Sequence, residues 1–150
     1  MGLKTICDSG DKLTALAMIL DGCKIKVDSD QANPRTLNKW LAGHSGFLRK
    51  ENDEVEIVVG EMAKFGFNAI GRVEGEMGIR SMFRKGAQVV LKIHDGAGPR
   101  TVVLRGFTSQ TFIVGDPTPL GSMSVSPADV HYGETFFHPR CRSVYLDLDE

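Results

Sequence analysis

An α+β domain, helices first and antiparallel strands second, is the fold class that the sequence predicts. Two observations carry this. Before Gly86 the apolar residues recur at helical spacing, and after it they fall into short β-branched runs separated by turn residues. No segment repeats internally, and the 150 residues, 41% hydrophobic and 25% charged, suit one globular domain that buries roughly two thirds of its unfolded surface.

Ser9-Gly10-Asp11 followed by Leu13, Leu16, Ala17 and Leu20 supplies a Ser cap, a first-turn acid and an apolar stripe. A first helix is predicted over about residues 10 to 21. Asn33-Pro34 then gives a cap with proline at the first helical position, and Leu37, Trp40 and Leu41 share a face that ends at Gly43. Trp40 is read as core. A third helix is expected from Asp53, with Val55, Val58, Met62 and Phe65 on one side and Gly66 as its stop. A fourth spans Met77 to Lys85, weakened by Gly78 by about 1 kcal/mol relative to Ala. The strands expected next are Val89 to Ile93, Thr101 to Phe107 and Thr111 to Val114, a meander turned by Asp95-Gly96-Ala97-Gly98-Pro99 and by Thr108-Ser109-Gln110. A Pro/Gly/Ser-rich stretch, Asp116 to Pro127, leads to a final strand expected at Ser143 to Leu148, and His131-Tyr132 and His138-Pro139 fall in a polar tail.

Composition excludes several functions. With 18 Lys+Arg against 19 Asp+Glu the chain lacks the basic excess that phosphate backbones require, so no nucleic acid is expected. The longest apolar run, Leu13 to Leu20, is far short of the roughly 18 residues that span a bilayer. The opening residues show no signal-peptide core, so the chain is expected to be unexported, either cytoplasmic or incorporated into a viral particle. Cys7, Cys23 and Cys141 are odd in number and widely spaced, and the four histidines are scattered. A disulfide framework, a metal site and a cofactor are all expected to be absent.

The segment Ser9-Gly-Asp-Lys-Leu-Thr-Ala-Leu-Ala-Met-Ile-Leu20, followed by Asn33-Pro-Arg-Thr-Leu-Asn-Lys-Trp-Leu41, resembles the opening of papain-like cysteine peptidases related to the bacteriocin-processing leader peptidases. Further on, Arg100-Thr-Val-Val-Leu-Arg-Gly-Phe107 and Phe112-Ile-Val-Gly-Asp-Pro117 are similar to that family's His-bearing strand and Asp-Pro strand end. The resemblance implies a papain-like fold. It also implies a site made of a thiolate at a helix N-terminus, a facing imidazole and an orienting third residue. At those positions this sequence carries Asp11, Arg100 (within a register error of about one residue) and Asp116, with Thr5 near the place of the oxyanion-donating Gln. A carboxylate at that position is a poor nucleophile, and a guanidinium cannot act as a base. The resemblance therefore implies an inactive homologue in which Asp11 and Arg100 form an ion pair across the former cleft, seconded by Asp116. Such a chain would serve as a binding or structural module for a protein or peptide partner, or as a component of a larger assembly such as a phage particle.

Two other readings stand beside it. One is an active cysteine hydrolase that uses Cys7 with His94 as base. The other is an Asp11/Asp116 acid–base pair, disfavoured because Arg100 nearby would keep both carboxyls ionised. Cys23 and Cys141 are read as core or surface residues without a partner.

Overall fold

The computed structural model describes residues 3–44, 47–49, 55–57, 59–96, 98–115 and 122–143, with residues 3–11 traced as helical backbone. The elements are α1 (Leu3–Gly22), α2 (Pro34–Gly43), the short strands β1 (Phe47–Arg49) and β2 (Val55–Ile57), a 3-10 turn (Val59–Phe65), β3 (Asn68–Val73), α3 (Glu76–Arg84), β4 (Gln88–Asp95), β5 (Gly98–Phe107), β6 (Phe112–Gly115), β7 (Ser122–Val125) and β8 (Val130–Phe137), with a 3-10 turn at Pro127–Asp129 before β8. The class is α+β, as the sequence predicts. Six strands form one antiparallel sheet in the order β3-β8-β4-β5-β6-β7, and β1 and β2 pair separately.

Period-2 alternation sorts the sheet's side chains into two cores. Val90, Val103 and Phe136 pack with Leu13, Leu16 and Leu20 of α1 and Leu37 and Leu41 of α2. On the opposite face Val89, Leu91, Ile93, Val102, Leu104 and Val114 pack with Ile79 and Phe83 of α3. The result is three layers, with α1 and α2 on one face of the sheet and α3 on the other. Each fully buried Leu, Ile or Phe contributes about 1.5–3 kcal/mol. One ion pair adds to the first layer: Lys12 Nζ on α1 meets Glu134 Oε1 on β8 at 2.9 Å, with both side chains about four-fifths covered.

α2 forms as its sequence predicts. The Asn33 side chain accepts from the Thr36 N–H at 2.9 Å while Thr36 Oγ1 accepts from the Asn33 N–H at 3.0 Å, a reciprocal cap worth about 1 kcal/mol. Trp40 is buried against Phe65 and stacked on His44, in keeping with its reading as core. α3 and the meander β4-β5-β6 also lie where expected. Gly78 has a packing reason inside α3, because a Cβ there would come within 2.8 Å of Val73 Cγ1.

Four expectations are corrected. α1 starts at Leu3, so Ser9 is not its cap; no proline interrupts Leu3 to Gly10, and Ser or Asp inside a helix costs only a few tenths of a kcal/mol. The expected third helix is instead β2 followed by a 3-10 turn. Met62 and Phe65 are three apart, a spacing that eclipses in a 3-10 helix as readily as it aligns in an α-helix; the expected cap, Asp53, lies outside the described residues. The polar tail holds strands β7 and β8, and β8 pairs on both sides, with β3 and β4. Ser143 is irregular, and the rest of the expected final strand lies outside the described residues.

The fourth correction is covalent. Cys23, just past α1, and Cys141 in the tail are joined in a disulfide, with Cα atoms 5.5 Å apart and a sequence separation of 118. Sequence spacing disfavours the pair only because it cannot show which distant segments the sheet brings together.

Candidate functional site

The backbone separates the residues that the resemblance would bring together. Asp11 is inside α1, more than two turns from the first residue, Leu3. The free N–H groups and the positive end of the helix dipole belong to the first turn, so position 11 is not a helix N-terminus. Arg100 pairs with Ile93 in the β4–β5 ladder and alternates with Thr101, so it stands on the face shared by Ile93, Val102 and Leu104. That is the α3 face, whereas α1 lies on the other. At the level of the backbone the two positions therefore belong to opposite faces of the sheet, and the Asp11 side chain lies outside the described residues. A slip of one residue decides the matter: Thr101, 6% exposed, is the side chain turned toward α1. Thr5 and Cys7 lie on the α1 backbone, and their side chains are outside the described residues; Asp116 is outside them altogether. His94 alternates with Val90 and so lies on the α1 side of the sheet. It is exposed and stacked on His131 with ring centroids 5.9 Å apart.

An open cavity lies elsewhere, at the end of the sheet where the tail crosses it. The tail is pinned there by three kinds of link. The disulfide ties it to the end of α1. Ser143 N–H donates to Gly86 O and Ser143 Oγ–H to Phe83 O, both at 2.9 Å, and Arg142 Nη2 donates to Lys85 O. The last carbonyls of a helix have no partner within it, so the tail satisfies the end of α3 while it is held to α1. Two layers on opposite faces of the sheet are thereby clipped by one segment. Gln88 at the start of β4 reinforces the clip, its Nε2 reaching Cys141 O at 3.5 Å.

Beneath the clip is an open cavity of about 270 Å³. Met18 and Ile19 of α1, Phe83 of α3 and Leu104 of β5 supply an apolar wall, and the guanidinium groups of Arg105 and Arg142 supply the charge. Glycines make room for both cations. A Cβ on Gly86, whose φ is +99°, would lie 2.5 Å from Arg142 Nε, and one on Gly115 would lie 2.8 Å from Arg105 Nε. Among the described residues no carboxylate meets either guanidinium, and no acid lines the cavity. Asp21, the acid nearest in sequence on α1, instead accepts from Gln31 Nε2 at 3.2 Å. Chemically, such a site can hold an anion that carries an apolar portion. It contains no nucleophile–base pair among its described members.

Sequence reasoning missed this cavity. Arg105 reads as an ordinary outward strand residue in Val-Val-Leu-Arg-Gly-Phe, and Arg142 as a tail charge. The signal that was available is the pairing of each with a glycine, which becomes visible only once the fold brings Gly115 and Gly86 beside them. No group of His, Cys, Asp and Glu suited to a metal ion occurs among the described residues. No described helix is long and apolar enough to cross a membrane. Compared with protein-family models, with curated proteins and with solved structures, the chain matches none.

Proposed function

We propose that this chain is a non-catalytic protein-binding module that works within a larger assembly, such as a viral particle, on a scaffold of papain-like ancestry. One observation carries the reading: α1 runs unbroken through position 11, so the place where the related peptidases keep their nucleophile lacks the electropositive helix end that makes a thiolate. The helices laid on an antiparallel sheet agree with such an ancestry at the level of class. The Asp11–Arg100 pair has no part in the proposal.

The disulfide bears on the setting. Such bonds persist in oxidising surroundings, virion surfaces among them, and are rare in a reducing cytosol. The reading therefore favours an exposed particle component over a cytosolic protein.

Two measurements test it. A native complex isolated from the source should have a mass many times 16.4 kDa. Iodoacetamide should alkylate Cys7 at the rate of an ordinary thiol. A 16.4 kDa species that cleaves peptides and loses that activity on Cys7→Ser or His94→Ala substitution would overturn the proposal in favour of a cysteine hydrolase.

A further inference from the structure

We infer that the cavity beneath the disulfide clip binds the free C-terminal carboxylate of a partner polypeptide whose last residue is apolar. The inference rests on the reading of the chain as a protein-binding module and assigns that module a site. Three features of the cavity support it: cations that meet no carboxylate among the described residues, one guanidinium anchored over a glycine, and an apolar patch beside them.

The charge is the first. Among the described residues no acid lines the cavity that the guanidiniums of Arg105 and Arg142 border, and neither has a carboxylate partner. Arg80 shows what this protein does with an arginine used for structure. Its guanidinium bonds Glu76, Thr108 O and Ser109 O, lies over Phe107 and Phe112, and is 6% exposed. The end of α1 brings about half a negative charge toward the cavity, against two full positive charges, so the balance favours an anion.

Geometry is the second. Arg142 is held by its bond to Lys85 O and lies over Gly86, while Arg105 lies against Gly115, which Met18 Cε also approaches. Arg142 is thereby anchored and Arg105 is exposed beside it, and a guanidinium fork matches a carboxylate with two parallel hydrogen bonds.

Size and polarity select among anions. At about 270 Å³ the cavity is just below the roughly 300–1,000 Å³ of drug-sized pockets, so it takes about one residue. Met18, with the edges of the buried Phe83 and Leu104, gives an apolar patch that a bare phosphate cannot use but an apolar side chain next to a carboxylate can. Capture of a terminal carboxylate is a recurrent mode of peptide recognition.

The test is calorimetric titration of the oxidised protein with four probes: a tetrapeptide ending in leucine with a free carboxylate, the same peptide amidated, N-acetyl-leucine and inorganic phosphate. The free acid should bind at least tenfold more tightly than the amide and more tightly than the other two probes. Arg105→Gln should weaken it about tenfold with an unchanged melting temperature. Equal binding of acid and amide, an unchanged affinity in Arg105→Gln, or phosphate binding as tight as the peptide would overturn the inference. N-acetyl-leucine binding as tightly as the tetrapeptide would overturn the assignment to a polypeptide. If no peptide binds while the native complex persists in Arg105→Gln, this site falls and the binding-module reading stands. If the peptide binds but no complex exists in the source, the assembly falls and the pocket stands.

Discussion

Arg80 on α3 and the pair made by Arg105 of β5 and Arg142 of the tail occupy opposite conditions in one molecule. Arg80 is sunk between two phenylalanines with its donors turned on an acid and two backbone carbonyls, whereas Arg105 meets no carboxylate among the described residues and Arg142 spends one donor on Lys85 O. The first closes the turn between β5 and β6, where Thr108 N–H donates to Thr111 O and Thr108 Oγ1 accepts from the Thr111 N–H. The second pair borders an open cavity. The difference teaches that a buried cation whose bonds all go to its own chain serves the fold, while exposed cations beside a void leave donor capacity for something outside the chain.

Four experiments break or sharpen this contrast. The largest effect belongs to the clip. Cys141→Ala, compared with the parent in non-reducing urea unfolding, should lose about 4 kcal/mol, because a crosslink spanning 118 residues restricts the unfolded chain strongly. A loss under about 1 kcal/mol would mean that the remaining tail contacts hold this end alone. Next comes Arg80→Ala, which strands the carbonyls of Thr108 and Ser109 and removes the guanidinium from two aromatic faces; about 3 kcal/mol should be lost at an unchanged m-value. Gly86→Ala combines a positive φ with a collision against Arg142 and should cost about 1–2 kcal/mol by thermal melting, with Arg142 displaced. Arg105→Gln stands at the bottom, within about 0.5 kcal/mol of the parent, since it gives up no internal bond. A destabilisation by Arg105→Gln as large as that of Arg80→Ala would erase the distinction.

Legibility in the sequence follows how local each cause is. α2 was readable because Asn33, Pro34 and Thr36 act on backbone groups within one turn. α3 and β4 to β6 were readable because a single period runs through each. β8 was hidden although Val130, Tyr132 and Phe136 alternate, since His131, Gly133 and Glu134 make the stretch look like a polar tail. Glu134 is there to meet Lys12, a partner 122 positions away. The start of α1 was hidden because Ser9-Gly10-Asp11 is a good cap sequence that the helix nonetheless runs through. The candidate site was scarcely legible at all. A motif match places Arg100 in a row of letters but leaves its face to strand register, where a one-residue step reverses every side chain. The pairing of two cysteines among three, and the cavity it roofs, exist only through contacts between the two ends of the chain.

The link between Cys23 and Cys141 also makes most of the polypeptide a closed ring, from the end of the first helix almost to the last described residue. A protease that nicks any exposed loop within that ring, the turn at Gly96 for instance, produces two pieces that still travel as one molecule until a reductant is added. That is damage tolerance: a single cut opens the ring without releasing a fragment.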